Sequence, residues 1–218
     1  MFYIIGDIHG RLDKLDGLYR KISSILSSDD ILIFLGDYID RGPHSFEVIE
    51  YLLAVAKRKK CVFLKGNHED MFMEHVAGGG NEQVYLMNGG DRTIRSYRKQ
   101  ADGRFTVPRR HLVFFSSLGH YFEGENFIAV HAGLNPKIDN VEVQSVQDML
   151  WIRDGFYRSP RKWAKTVIFG HTPTMYLSGS FRKIFRDPDR NIIGIDTGAV
   201  YGGVLSCLAW PGGLEYQE

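Results

Sequence analysis

Cysteine is scarce in this chain: Cys61 and Cys207 are the only two in 218 residues. Each lies in an apolar, strand-like run. Such usage excludes a disulfide framework and a thiolate-rich zinc site, and reads as two buried thiols in a reducing compartment. Charge of one sign is also lacking. The 27 Lys and Arg against 26 Asp and Glu leave a formal net charge of +1, which excludes nucleic-acid binding driven by overall charge. No apolar run approaches the roughly 20 residues that span a bilayer, so neither a nucleic acid nor a membrane is expected as partner. Phe2–Ile5 already reads as a strand leading into a polar motif, which leaves no room for a secretory leader. The expected location is cytoplasmic. A chain of this length buries roughly 70% of its unfolded surface, enough for a core without staples, and residues 1–218 read as one domain.

Glycine is abundant, and much of it falls in five short motifs. They are Gly-Asp-Ile-His-Gly at Gly6–Gly10, Gly-Asp-Tyr-Ile-Asp-Arg-Gly at Gly36–Gly42, Gly-Asn-His-Glu at Gly66–Glu69, His-Ala-Gly at His131–Gly133 and Gly-His-Thr-Pro at Gly170–Pro173. Each alone is a weak signal, but all five in this order make a strong one. They carry carboxylates, imidazoles and one carboxamide, and no thiol. Oxygen and nitrogen donors of this kind suit manganese, iron, zinc or cobalt in hydrolytic sites.

The chain order explains how these motifs meet. Phe2–Ile5, Ile31–Leu35 and Cys61–Leu64 are predicted strands. Between them, Leu12, Leu15, Leu18, Ile22 and Ile25 mark one helix, and Phe46, Ile49, Leu52, Leu53 and Ala56 a second, with Ser45 as its expected N-cap. This is a βαβαβ pattern with parallel strands. Ligands gather at the carboxyl ends of such strands, so the first three motif loops should converge. Residues 71–118 read as short helices broken by Gly78–Gly80 and Gly89-Gly90, a cap-like segment without a metal-type motif. Further strands are expected at Tyr121–Glu123, Phe127–Val130, Thr166–Phe169, Lys183–Phe185, Ile192–Ile195 and Val204–Trp210. The fold class is α/β, with two packed sheets flanked by helices. The run Lys57–Lys60 ends the second helix, where the helix dipole favours cations.

Asp7 and His9 stand two apart at a strand exit, so both can turn onto one ion. Asp37, Asn67, His131 and His171 each follow a predicted strand. Six such ligands hold two ions only if one carboxylate bridges them, and Asp37 is the central choice. Two ions roughly 3.5–4 Å apart can share a hydroxide and clamp a phosphoryl group for in-line displacement.

From Gly6 to Gly203 the motifs resemble those of the phosphoprotein phosphatase family of metallophosphoesterases, and within it the short bacterial and phage branch typified by bacteriophage lambda phosphatase. Trp151-Ile152-Arg153 and Ile195–Gly203 are also similar to that branch. The resemblance implies a two-sheet sandwich flanked by helices and two divalent metal ions, manganese foremost. Asp7, His9 and Asp37 would hold the first ion, and Asp37, Asn67, His131 and His171 the second. It further implies His68 as the general acid, Asp40 as the group orienting its ring, and Arg41 and Arg153 as the grip on phosphate oxygens. These roles make physical sense. A phosphate dianion repels hydroxide until positive charge surrounds it, and the planar guanidinium matches phosphate oxygens. A serine alkoxide needs a proton to leave, which histidine beside a carboxylate can supply.

The expected activity is therefore a serine/threonine protein phosphatase, acting on a phosphorylated protein or peptide, with phosphotyrosine left open. The alternative is a diadenosine tetraphosphate hydrolase, which shares all five motifs. The Trp-Ile-Arg and Asp-Thr-Gly-Ala-Val-Tyr-Gly-Gly segments favour the phosphatase, and no additional motif obviously grips a second phosphate or stacks an adenine. Arg158 reads as a merely basic neighbour of Arg153. Tyr85, Arg92, Arg95, Tyr97 and Arg98 are the residues that would contact a nucleotide if they faced the site. A non-catalytic binding scaffold would lack a ligand or His68, and none is missing.

Overall fold

The central strands of this protein are apolar on both faces, and the reason is visible in a computed structural model that describes residues 1–218. In chain order the elements are β1 (Phe2–Ile5), α1 (Leu12–Ser23), β2 (Ile31–Phe34), α2 (Ser45–Ala56), β3 (Lys60–Phe63), α3 (Asn67–Val76), α4 (Glu82–Tyr85), α5 (Asp91–Lys99) and α6 (Arg109–Ser116). They continue with β4 (Tyr121–Glu123), β5 (Phe127–Val130), α7 (Val146–Trp151), α8 (Asp154–Tyr157), β6 (Thr166–Phe169), α9 (Thr174–Ser178), β7 (Phe185–Asp187), β8 (Ile192–Gly194), β9 (Ser206–Trp210) and β10 (Leu214–Gln217).

Two five-stranded mixed sheets form, in the orders β10-β9-β1-β2-β3 and β4-β5-β6-β8-β7. Strands β1, β2 and β3 run parallel, as do β5, β6 and β8, while β9, β10, β4 and β7 pair antiparallel. Side chains alternate between faces with a period of two. Ile4, Ile33 and Leu208 of the first sheet meet Phe127, Ala129, Ile168 and Ile193 of the second in one buried cluster between the sheets. Their neighbours Tyr3, Ile5, Leu32 and Phe34 face the other way, onto Leu15, Leu18, Ile49 and Leu52 of the first two helices. On the far side, Ile128, Val130, Val167 and Phe169 pack against Phe156 and Trp163. The result is a helix–sheet–sheet–helix sandwich, as expected from the sequence.

Helices α3 to α6 lie on the outer face of the first sheet, where Phe72, Tyr97, Phe114 and Phe115 join its core. Buried His111 ties three helices together: its Nδ1 lies 2.8 Å from the Tyr97 hydroxyl and its Nε2 lies 2.6 Å from Glu50.

Three local expectations need correction. Ser45 is the first residue of α2, and His44 is the N-cap without a side-chain cap bond. The Ser45 hydroxyl is instead turned to Asp40 and Thr93. The strand expected at Lys183–Phe185 is displaced to Phe185–Asp187, where it pairs with β8. Strand β10 was not expected at all. It is an edge strand whose Leu214 is exposed, so it lacks a buried apolar alternation and owes its existence to pairing with β9.

Ile168 is fully buried between the sheets and far along the chain from its partners. Ile168→Ala should therefore cost about 2–5 kcal/mol of stability in urea unfolding. A loss below about 1 kcal/mol would show that the intersheet layer is not the close-packed core described here.

Candidate metal centre

The five motif loops open at the carboxyl ends of β1, β2, β3, β5 and β6, and they bring their polar side chains to one place. His131 Nε2 lies 3.4 Å from Asp37 Oδ1, His9 Nε2 lies 3.4 Å from Asp37 Oδ2, and His171 N–H donates to Asp7 Oδ2 at 3.0 Å. Asp7, His9, Asp37, Asn67, His68, His131 and His171 are all buried. Tight loops are needed to aim them. Seven non-glycine residues adopt positive φ, and five of these are His9, Asp37, Asp40, Arg41 and His171. Such conformations cost about 1–3 kcal/mol each and persist only where surrounding bonds enforce them.

Those bonds can be named. Glu69 is buried and accepts from Asp37 N–H and Tyr38 N–H at 2.8 Å and from Gly66 N–H at 2.9 Å, stitching the second motif to the third. This settles Glu69 as a holder of backbone. The His68 N–H, in the first turn of α3, donates to Asp37 Oδ1 at 3.2 Å. Gly66 must lack a side chain, since a Cβ there would stand 2.1 Å from Asp37 Oδ1.

The donor atoms fit metal ions. His9 Nδ1 lies 2.9 Å from the Ile39 carbonyl and His131 Nδ1 lies 2.9 Å from the Leu35 carbonyl. A carbonyl only accepts, so both Nδ1 atoms carry the proton, and each neutral ring directs the Nε2 lone pair into the site. His131 Nε2 then faces Asn67 Oδ1 at 3.1 Å, lone pair to lone pair. A cation between such atoms relieves the repulsion. Asp7 Oδ1, His68 Nε2 and His171 Nε2 are buried without any partner. Two trios have donor atoms mutually close enough for one ion: His9, Asp37 and His68, and Asp37, His131 and His171. Asp37 belongs to both.

Electrostatics point the same way. Burial, then Arg41, pushes the His9 ring well below its ordinary pKa. Burial also lowers His131, and burial with His131 and Arg153 takes His171 well below its ordinary value. All three rings are therefore neutral at pH 7, with lone pairs available to a cation. Burial, then Asp196 and Asp37, drives Asp7 well above the usual carboxylate range. Burial opposes the Asp37 charge, but the positive field of the site, with Arg41 as its fixed cation, outweighs it and holds the carboxyl low. Asp196 is raised to about 6, chiefly by burial, with the Gly198 N–H opposing. Asp196 lies in the Ile195–Gly203 stretch, where no metal-type motif marks it. It adds a third buried carboxylate to the field, and buried charge of this density needs counter-charge.

The remaining site residues are also gathered here. Asp40 Oδ2 lies 2.7 Å from His68 Nδ1, both fully buried. Arg41 Nη1 lies 2.6 Å from His9 Nε2, and its guanidinium sits 5.5 Å from the Tyr201 ring centre. Arg153 reaches Thr172 Oγ1 at 3.4 Å. Beside them opens a cavity of about 720 Å³ lined by Arg41, Arg153, Arg158, Tyr157, Tyr176, Phe181 and Tyr201, with His171 at its inner wall. Arg158 lines this cavity too, while pairing with Asp154 at 3.5 Å. The residues expected to meet a nucleotide in the middle segment do not line this cavity: Tyr85 and Tyr97 are buried, and Arg95 pairs with Asp91 on the exposed side of α5. The aromatics come instead from α8, α9 and the loops around Phe181 and Tyr201, too scattered in sequence to form a motif.

Because Asp37 is shared, Asp37→Asn should weaken both ions, whereas His9→Asn should weaken one. Remetallated wild type should hold two ions per chain by elemental analysis. An ion at a hundredfold excess over its Kd adds about 2.7 kcal/mol, so each site should raise Tm by about 5–10 °C over chelated protein. A single ion per chain, or a Tm indifferent to chelation, would contradict the shared-ligand arrangement.

Comparison with known proteins now has a structure to be read against. The calcineurin-like phosphoesterase family pattern matches residues 1–194. A bis(5'-nucleosyl)-tetraphosphatase PrpE (asymmetrical) from Halalkalibacterium halodurans is 28% identical over 96% of this chain and 90% of its own length. The protein of the same name from Anoxybacillus flavithermus is 28% identical over 97% and 91%. A solved structure described as that of a candidate diadenosine tetraphosphatase superposes with a TM-score of 0.74 at 25% identity, covering all of this chain and 92% of that one. A cold-active protein tyrosine phosphatase shares the fold, at a TM-score of 0.66 and 18% identity over 95% of this chain and 73% of that one. These names overturn the expectation of a serine/threonine protein phosphatase and of a phosphorylated protein or peptide as partner. The physical reason lies in the cavity, which provides a third arginine and four aromatic rings beyond what one phosphoryl group uses. No helix is long and apolar enough to cross a membrane. By its fold, its donor cluster and the match over residues 1–194, the chain belongs to the calcineurin-like phosphoesterase family of metallophosphoesterases.

Proposed function

We propose that the protein is an asymmetrical bis(5'-nucleosyl)-tetraphosphatase, which hydrolyses a dinucleoside tetraphosphate to a nucleoside monophosphate and a nucleoside triphosphate. The observation that carries this reading is the cavity beside the donor cluster. Its volume of about 720 Å³ falls in the range of small-molecule sites. Arg41 and Arg153 suffice for one phosphoryl group, and Arg158 on the same wall suits a further phosphate of a chain. Tyr157, Tyr176, Phe181 and Tyr201 offer ring faces and edges to a nucleobase, a type of contact that stacking favours by about 1–3 kcal/mol per base. The dinucleotide names of relatives matching nine-tenths of their own length agree with it.

In this reading Asp7, His9 and Asp37 would hold one divalent cation, and Asp37, Asn67, His131 and His171 would hold the other. Manganese, iron, zinc and cobalt all suit that donor set. Bound there, the two cations would supply positive charge to the phosphoryl oxygens and would make water nucleophilic at neutral pH. Arg41 and Arg153 hold the equatorial oxygens of the attacked phosphorus. Water oxygen forms the new bond to phosphorus, and the bridging P–O bond on the opposite side breaks. His68, oriented through Nδ1 by Asp40, presents Nε2 to the leaving oxygen and delivers a proton to it. Arg158 and the aromatic wall keep the rest of the chain in register.

Two expectations follow from this division of labour. First, kcat/KM for diadenosine tetraphosphate should exceed that for phosphopeptides by at least about tenfold, equal to about 1.4 kcal/mol of transition-state binding. The products should be AMP and ATP, and Arg158→Ala should raise KM for the dinucleotide more than for an aryl phosphate. A phosphopeptide preference, or two molecules of ADP as product, would refute the assignment. Second, His68→Asn should lower turnover of phenyl phosphate by about two to four orders of magnitude while metal content is retained. The dinucleotide should lose less. Its leaving phosphate has a second pKa near 6, against about 10 for a phenol. Equal losses on both would remove His68 from the proton-donor role.

A further inference from the structure

The stretch from Tyr85, at the end of α4, to Thr93 in α5 carries no metal-type motif, yet it touches the reaction machinery at three points. Asp40 is the key. Its backbone is held at φ 67°, a conformation unfavourable for a residue with a side chain. The Thr93 hydroxyl bridges both ends of this residue: it accepts from Asp40 N–H at 2.9 Å and donates to Asp40 Oδ1 at 2.6 Å. Ser45 Oγ stands 2.9 Å from Thr93 Oγ1 and 3.2 Å from Asp40 N, completing the ring of bonds. The Tyr85 hydroxyl donates to the same Oδ1 at 3.1 Å. Burial, then the Asp40 charge, pushes the Tyr85 phenol far above its ordinary range, so it remains a donor. With Oδ1 engaged twice, Oδ2 is left for His68 Nδ1 at 2.7 Å. Asp40, Tyr85 and Thr93 are all buried, with no water-facing alternative partner.

The third point is Gly89. Its carbonyl accepts from Arg41 N–H at 3.1 Å, and its own φ is 97°. A Cβ on Gly89 would lie 2.8 Å from Arg41 N and Cγ. The irregular turn at Leu86–Gly90 therefore brings bare backbone against the Asp40-Arg41 pair. Aromatic packing and a glycine-broken helix would account for an ordinary surface cap. Two hydroxyls aimed at one oxygen of the carboxylate that orients His68 go beyond that.

We propose that residues 85–93 are a positioning element of the catalytic site, in which Thr93 and Tyr85 lock the Asp40 carboxylate that orients His68 and Gly89 seats Arg41. None of these three residues touches substrate. The proposal rests on His68 as proton donor. It adds that the donor's aim is set from a different part of the chain, 25 residues downstream in the case of Thr93.

Phenyl phosphate and p-nitrophenyl phosphate are small esters of similar shape that differ in how much the leaving oxygen needs a proton. Both are used as probes with manganese-loaded, full-length protein. Thr93→Val keeps shape and removes the hydroxyl. It should lower kcat on phenyl phosphate by about tenfold to a hundredfold, as misaimed catalytic groups do. On p-nitrophenyl phosphate the loss should be about threefold or less, because that leaving group needs the proton less. KM should change little and both metal ions should remain. Thr93→Ser, which restores the hydroxyl, should recover most of the loss. In a His68→Asn background Thr93→Val should cost nothing further, since a residue acting through His68 has no second route. Tyr85→Phe keeps the ring against Phe72, and should show the same pattern more weakly, so the test stands even where Thr93→Val folds poorly. Equal losses on both esters, no recovery in Thr93→Ser, or a full additional loss in the His68→Asn background would overturn the proposal and leave the segment a structural cap. His68→Asn measured alone separates the two questions. Loss equal on both esters in that variant refutes His68 as donor, whatever Thr93 does.

Discussion

Three carboxylates, Asp7, Asp37 and Asp196, are buried within one field at the carboxyl ends of the strands, and the architecture around them follows from that concentration of like charge. Removing a carboxylate from water costs several kcal/mol even after the protein relaxes. Arg41 is the fixed cation that all three share, and a single guanidinium does not balance three buried carboxyl groups. The neutral imidazoles His9, His131 and His171 add lone pairs without adding charge. The cluster is thus assembled as a receptor for cations, and its stability and its chemistry come from the same deficit.

A receptor of this kind must be built before its ions arrive, which explains where conformational strain is placed. Positive φ at His9, Asp37, Asp40, Arg41 and His171 turns each loop sharply at the strand end. The cost is met by bonds that serve no other purpose: Glu69 gathering three backbone N–H groups, and the Ile39 and Leu35 carbonyls fixing ring tautomers. The two sheets supply the rigid frame. Their intersheet layer lies directly beneath the loops, through Ile4, Ile33, Phe127 and Ile168, so the donor atoms are aimed from well-packed strands.

Much of this was legible in the sequence, and the limits are instructive. Parallel strands with helical crossovers announced themselves in the first third, because both faces of β1 and β2 are buried and the intervening helices keep strict three- and four-residue spacing. The donor residues were legible because each sits within four positions of a strand's carboxyl end. Ser45 was misread as an N-cap because its hydroxyl is claimed by a contact with Thr93, 48 residues away, which no local pattern records. The Gly89-Gly90 pair looked like a simple helix break, whereas Gly89 is required by the closeness of Arg41. The substrate expectation failed for a similar reason. Arg158, Tyr176, Phe181 and Tyr201 are spread over 44 positions and meet only when α8, α9 and the Tyr201 loop fold onto one wall. Motifs report the chemistry at the phosphorus. The cavity proposed to hold the rest of the substrate is a tertiary property.

The most direct measurement is anomalous diffraction from manganese-soaked crystals containing a non-hydrolysable diadenosine tetraphosphate analogue. Two anomalous peaks are expected, both against Asp37, one also touching His9 and the other His131 and His171. The phosphate chain should run from those peaks past Arg153 to Arg158, with a base against the Tyr176, Phe181 and Tyr201 wall. A single peak, an Asp37 that touches neither ion, or a phosphate chain that leaves the peaks without meeting Arg158 would contradict this picture of the site.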